Sequence, residues 1–280
     1  MPVVRMDVPG VPPKLLAEHY ARANERVARS LREYLGDPNE ENTKALRASA
    51  RRLATILGVV PRRSRKKTMK QSRDRCRKLL RTTSKVRDAD IIHERLSKFA
   101  GDPTVELLLS NLKEEREVYA SESMKAAWRL FEAHRPKPDR KDFKGSTRWV
   151  RKTLSKLDTE IGAELPLVVK NEGKVDELHS LRKHAKTFRY VLELMPASRS
   201  SSIMTEVLRS WQDVLGEIRD SDIVIEYLGR ARQTSAVKEA LLEERAQRHR
   251  RYRSFVRAYG REFKTWPSPY RMAGFRLGGR

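Results

Sequence analysis

Lys44, Arg47 and Arg51 step by three and four residues, and His179, Arg182, Lys186 and Arg189 step by three, four and three. On a helix such spacing brings side chains onto one face. At 1.5 Å per residue the second set makes a basic stripe about 15 Å long. No acid falls between Lys44 and Leu57, or between His179 and Leu192. An ordinary solvated face mixes both signs and forms Glu–Lys pairs four residues apart. Like charges at that spacing repel, so an external anion is the expected neutraliser. Arginine offers phosphate oxygens a planar fork of donors, and lysine a point charge. Lys183, Arg52, Arg77 and Arg209 widen the set, and the whole predicts a face that binds a phosphate-rich anion.

The identity of that anion follows from what the faces lack. Base readout calls for Asn, Gln or Arg at a helix end docked in a groove. Single-strand binders interleave exposed aromatic rings with their cations. Aromatic residues are only 7% of this chain, Phe188 belongs to an apolar stripe, and Trp211 lies near it. A polyphosphate-like ligand without bases is favoured, with a nucleic-acid-binding basic helical protein as the alternative. A phosphatase is disfavoured, because metal-dependent phosphoryl chemistry needs clustered acids. HExxH and cysteine-based zinc patterns are missing, and His184 stands five residues from His179, the wrong spacing for a shared metal site. His93, His134 and His249 have no partner constellation. No catalytic residue, metal or cofactor is expected, and His179 is read as part of the anion stripe.

These side chains need helices to carry them. Residues 44–57 (KALRASARRLATIL) align with 179–192 (HSLRKHAKTFRYVL) at a shift of 135 without a gap. Leu46, Ala50, Leu53 and Leu57 fall on Leu181, Ala185, Phe188 and Leu192; Arg47 falls on Arg182, and Arg51 on Lys186. Apolar steps of four, three and four mark a buried helix face, with the cations beside it. A second motif, VRDADIIHERL at 86–96, matches IRDSDIVIEYL at 218–228 at a shift of 132, which also pairs Arg77 with Arg209. Two motifs in the same order at nearly the same offset indicate an internal duplication, with the charged stripes of the two halves facing each other. Within each RDxD element, Arg87 and Arg219 are expected to end one helix. Asp88 and Asp220 cap the next, and Asp90 and Asp222 sit in its first turn. Carboxylates two residues apart do not share a helix face, so capping is preferred to metal binding.

The pattern predicts helices over 14–35, 38–58 (capped by Asp37, with Pro38 first), Asp88 to about Ala100, 103 to about 134, 146–164, 175–195, 203–217 and 233–264, with an irregular stretch around Pro166. Residues 62–87 hold thirteen Lys or Arg and one acid, Asp74; Arg73, Arg77 and Arg81 form a ridge on one helix face. Residues 1–13, with four prolines, read as an irregular lead-in. The segment 135–142 (RPKPDRKD) reads as a linker between halves at about 10–135 and 143–265, and 266–280 as a basic mobile tail. No alternating pattern supports a sheet, so the expected class is all-α. The net charge of +24, from 61 basic and 37 acidic residues, argues for a polyanionic partner rather than for a fold. The single cysteine, Cys76, excludes an internal disulfide framework. Without a signal peptide or a run of about 20 apolar residues, a soluble cytoplasmic protein is expected, with no membrane partner.

The patterns HxLRKxxKxxRY (His179 to Tyr190) and LRxxxRRL (Leu46 to Leu53), with the two RDxD elements, resemble the CHAD domain, the conserved histidine α-helical domain, over roughly residues 10–260. The resemblance implies two pseudo-symmetric four-helix bundles around a central basic cavity. It also implies non-enzymatic binding of inorganic polyphosphate and association with polyphosphate granules. The family places a histidine at the start of the basic helix in each half; here the second half has His179 and the first has Lys44. Lysine keeps the positive charge but weakens any metal role for paired histidines. The family also tends to have a basic residue where Ala54 stands opposite Arg189. The ExExK signature of the triphosphate-hydrolysing CYTH domain, fused to some CHAD domains, is absent. The sequence sets no oligomeric state.

Overall fold

The computed structural model describes residues 10–61, 66–133 and 137–263. Among them are eight α-helices and no strand. They are α1 (Pro13–Gly36), α2 (Glu40–Val59), α3 (Lys67–Leu96), α4 (Pro103–Phe131), α5 (Ser146–Lys170), α6 (Val175–Leu192), α7 (Arg199–Arg230) and α8 (Ser235–Phe263). Most of the proline-rich lead-in, Arg62, Arg63, Arg65, His134, the start of the linker and the basic tail lie outside the described residues.

Helices α1 to α4 pack in sequence and α4 closes back on α1; α5 to α8 repeat the arrangement. Each half is thus a four-helix bundle. The bundles meet through the equivalent pairs α2 on α6, α3 on α7 and α4 on α8, and also through α2 on α5.

Local chemistry sets the helix starts. Asp102 accepts from the backbone N–H groups of Thr104 and Val105 at 2.9 and 3.1 Å, and Pro103 opens α4, as the sequence predicts. Helix α2 begins two residues later than expected. Its cap is Asn39, which accepts from the Asn42 N–H at 2.8 Å, while Asp37 is taken by the Asn39 side-chain amide at 2.7 Å.

The largest correction concerns the RDxD elements. Helices α3 and α7 run unbroken through them for 30 and 32 residues. Asp88 and Asp220 therefore cap nothing, and the short helix expected from Asp88 is the end of α3. Asp90, Asp220 and Asp222 pair with side-chain cations instead of free backbone N–H groups. Pro166 is also inside a helix, near the end of α5. Its missing donor is tolerated where Leu165 and Val168 are fully buried. The Tyr252 hydroxyl donates to the carbonyls of Val168 and Val169 at 2.9 and 3.2 Å, satisfying acceptors that a helix end leaves open.

The buried side chains form two apolar clusters. The larger one draws on all eight helices and joins the halves, with Leu46, Leu53, Leu181, Phe188 and Trp211 among its members. The smaller one lies between the C-terminal parts of α3 and α7 and the N-terminal parts of α4 and α8. Helix α3 belongs to the first cluster up to Leu79 and to the second from Ala89. In between, Ser84, Arg87 and Asp88 line a polar cavity.

Candidate functional site

The cavity measures about 470 Å³ and is walled by α2, α3, α6 and α7. Its lining follows the two sequence shifts. From α2 and α6 come Lys44 with His179, Arg47 with Arg182, Ala48 with Lys183, and Arg51 with Lys186. From α3 and α7 come Arg87 with Arg219, Asp88 with Asp220, and Ile91 with Ile223. Eight of the lining residues are Lys or Arg and two are Asp.

Crowding of like charge at partial burial leaves its mark on the titrating groups. Burial, and then Arg51, Arg182, Arg47 and Arg189, lower the Lys186 amine to a pKa of about 7. Burial, and then Arg51, Arg182 and Arg87, lower Arg47 to about 10, against the pull of Asp88. Arg182 is lowered for the same reasons, burial first and Arg51 next. Burial raises Asp88 and Asp220, although guanidinium groups around each work the other way. Arg47 is anchored by donating to the Leu80 carbonyl and the Thr83 hydroxyl, both at 2.9 Å. Among the described residues, Arg51, Arg182 and Lys186 make no ion pair, and the buried Arg182 Nε has no hydrogen-bond partner. The arrangement presents unsatisfied donors to the cavity from both halves.

Behind the lining lies a second tier of charge. The His179 Nε2 is 2.9 Å from Asp222 Oδ2, and Arg219 approaches the same nitrogen at 3.4 Å. Asp222 Oδ1 accepts from Arg248 Nε at 2.5 Å, and Arg248 reaches on to Glu172 at 2.9 Å. Burial alone would raise the Asp222 pKa, but the bonds from His179 and Arg248 outweigh it and hold the carboxylate below its ordinary value. The first half repeats the frame: Arg116 Nε donates to Asp90 Oδ1 at 2.6 Å and Arg116 also reaches the Pro38 carbonyl at 3.0 Å. The frame is incomplete at the position of the histidine. Lys44 turns instead to Glu40 at 2.6 Å, and the buried Asp90 Oδ2 has no hydrogen-bond partner among the described residues.

Seven of the residues singled out by spacing line the cavity: Lys44, Arg47, Arg51, His179, Arg182, Lys183 and Lys186. Six do not. Arg189 pairs with Glu193 at 3.3 Å and lies over the Tyr190 ring, so the stripe on α6 stops at Lys186 as a cavity wall. Arg52 meets the same glutamate at 3.6 Å and the same ring. Arg73 lies across Gly58, where any side chain would meet its guanidinium at 3.1 Å. Arg77 and Arg81 are exposed on α3, and Arg209 is exposed on α7. Sequence reasoning missed Ser84, Arg87, Asp88, Arg219 and Asp220 as cavity residues. The repeated RDxD motif was the signal for the last four, read as helix capping. The internal acids Asp88 and Asp220 supply part of the neutralisation that the bare stripes call for.

Cys76 is buried. Among the described residues, no group of three or more His, Cys, Asp or Glu is placed to hold a metal ion, and no helix is long and apolar enough to cross a membrane.

The profile of the CHAD domain matches residues 14–229. Among solved structures, the CHAD domain from the plant Ricinus communis is similar with a TM-score of 0.59 and 14% identity, covering 98% of this chain and 96% of that one. PptA from Streptomyces chartreusis is similar with a TM-score of 0.57 and 14% identity, covering 90% of this chain and 99% of that one. These likenesses are of fold. No curated protein matches the sequence.

Proposed function

The chain belongs to the CHAD domain family, and on that premise we propose that its central cavity binds inorganic polyphosphate without catalysing a reaction on it. One observation carries the reading: eight Lys or Arg from four helices, drawn from both halves, surround one cavity that contains two acids. Polyphosphate carries about one charge per phosphate and would displace counterions from several of these cations together. Its affinity therefore falls steeply with salt, by the physics that governs nucleic acid binding. Lys and Arg without an ion-pair partner are chemically suited to oxygens that carry charge in every direction and offer no base to stack.

The test is binding of labelled long-chain polyphosphate near physiological salt, with duplex DNA and RNA added at equal phosphate. Retention of polyphosphate supports a dedicated site. Easy displacement points to the alternative, a nucleic-acid-binding protein that uses exposed cations such as Arg77, Arg81 and Arg209. Reversing Arg182→Glu and Lys186→Glu together abolishes polyphosphate binding while helical content is retained; unchanged binding would put the site elsewhere. Incubation with polyphosphate and Mg²⁺ or Mn²⁺ releases no phosphate on this reading. Association with polyphosphate granules is part of the same proposal. A fluorescent fusion concentrates on them, and the double reversal disperses it.

A further inference from the structure

We propose that the outward face of α4 is a self-association surface, on which α4 of a second copy of this chain packs antiparallel. Among the described residues six large hydrophobic side chains are exposed, and three are on this one helix: Leu107, Val118 and Trp128, at 61%, 59% and 46%. Single exposed apolar side chains are ordinary on a protein surface. These three belong to one stripe. Leu107, Glu114, Val118, Ser121, Lys125 and Trp128 follow one another at steps of seven, four, three, four and three, and all six are exposed. That is the spacing of a seam along which one helix meets another.

The charge on the stripe selects the occupant. Glu114 and Glu117 stand towards its N-terminal side, and Lys125 and Arg129 towards its C-terminal side; all four are exposed. None of them makes an ion pair among the described residues. Attraction to the helix macrodipole fades within the first and last turns, whereas Glu114 and Glu117 lie about three turns into α4. An antiparallel second α4 sets acid against base at both ends of the contact, and a parallel one would set acid against acid. Ser121, between the two blocks, is small and lets the helices close to ordinary packing distance. Helix α4 holds five acids and four bases in a chain of net charge +24. Contact here therefore joins two copies without setting their surplus of positive charge face to face.

The other half of the molecule lacks this surface. The bonds of Arg116 to Asp90 and of Arg248 to Asp222 place α4 and α8 in register at a shift of 132. At that shift Glu117, Val118 and Ser121 become His249, Arg250 and Arg253, all exposed. The duplicated helix is cationic where α4 is apolar and acidic, so the bundle itself does not require the α4 stripe. Helix α4 contributes no wall to the basic cavity, and association leaves both cavities open. Resting on the proposed function, one long polyphosphate chain then engages two cavities and binds more tightly than at one.

Sedimentation equilibrium of the ligand-free protein, in a concentration series into the hundreds of micromolar, is the test. The wild-type chain is expected to be in monomer–dimer equilibrium. Val118→Arg, which brings α4 to the chemistry of α8, is expected to raise the dissociation constant at least about tenfold. A charge exchange tests the orientation. One variant carries Glu114→Lys with Glu117→Lys, the other Lys125→Glu with Arg129→Glu. Each alone is expected to be monomeric, and an equal mixture to form a heterodimer. The substituted side chains are all exposed, and far-UV circular dichroism checks that each variant is folded. A wild-type chain that is monomeric throughout overturns the proposal, as does a dimer that Val118→Arg leaves intact or a mixture that stays monomeric. No polyphosphate is present, so these outcomes are independent of the proposed function. A dimer that holds the polymer no more tightly than the Val118→Arg monomer removes the two-cavity consequence and leaves the surface standing.

Discussion

Lys186 carries a cost in the native state that depends on pH. Its ordinary value is 10.5 and the folded protein lowers it to about 7. Below about pH 7 both states are protonated, and the native state holds a half-buried cation among cations. Between about pH 7 and 10.5 the unfolded chain binds a proton that the native chain lacks, so stability rises with pH across that window. Thermal unfolding of the ligand-free protein is expected to shift upward from neutral to mildly alkaline pH, and Lys186→Met to flatten that rise. A polyanion reverses the preference. Near pH 8, polyphosphate binding takes up protons at Lys186, seen by calorimetry in buffers of differing ionisation enthalpy. Asp90 offers a second test. Its orphaned oxygen lies where the second half has the His179–Asp222 contact, so Lys44→His supplies the missing donor. The exposed Lys44–Glu40 pair lost in exchange is worth little. A gain of about 1 kcal/mol is expected in denaturant unfolding. The stripes themselves were legible in the sequence, because three- and four-residue steps without acids have few other meanings. The stripe ends were misjudged, because Glu40 and Glu193 just outside the acid-free windows pair with Lys44 and Arg189. The second acid of RDxD was not, because its partners, Arg116 and Arg248, stand 26 residues further along the chain.

Elements are locked by the same charges. Arg248 ties α8 to Asp222 on α7 and to Glu172 in the turn before α6. Its side chain and that of Asp222 are 11% and 9% exposed, so removing one strands the other in a poorly solvated place. Arg248→Met is expected to cost about 3 kcal/mol. It also frees the carboxylate that holds His179, loosening one cavity wall as well as the bundle. Urea unfolding measures the cost, and polyphosphate affinity of the folded fraction measures the loosening. At this scale sequence patterns reached the order of the helices but not their continuity, splitting α3 and α7 each in two. A string such as RDxD is good capping chemistry when a helix begins there. It is equally good mid-helix chemistry when cations from neighbouring helices meet both acids, and only tertiary packing separates the cases. Pro166 misled for a related reason: two fully buried neighbours keep α5 going past a residue that would end an isolated helix. The ridge of Arg73, Arg77 and Arg81 shows the remaining limit. Spacing says that these residues share a face, but not that the bundle turns most of that face outward.

For the whole molecule, the decisive property is that charge from two bundles converges on one cavity. Arg51→Gln with Arg182→Gln is expected to lower the slope of log affinity against log salt by about two for polyphosphate. Arg77→Gln with Arg81→Gln leaves the slope unchanged if the cavity is the site. The larger apolar cluster closes around the same junction and is assembled from distant parts of the chain: Leu16 and Tyr20 in α1, Phe143 just before α5, Phe255 in α8. The Tyr20 and Phe143 rings approach to 6.5 Å between centroids, and Phe255 meets Trp211 edge-on at 5.9 Å. Synthesis proceeds from the N-terminus, and domains ordinarily fold as they leave the ribosome. Here the first four helices emerge with their share of that cluster bare and their cationic stripe facing nothing, until the chain beyond residue 143 arrives to cover both. The newborn half presents apolar surface and an uncovered cationic stripe beside ribosomal RNA until its partner half is made.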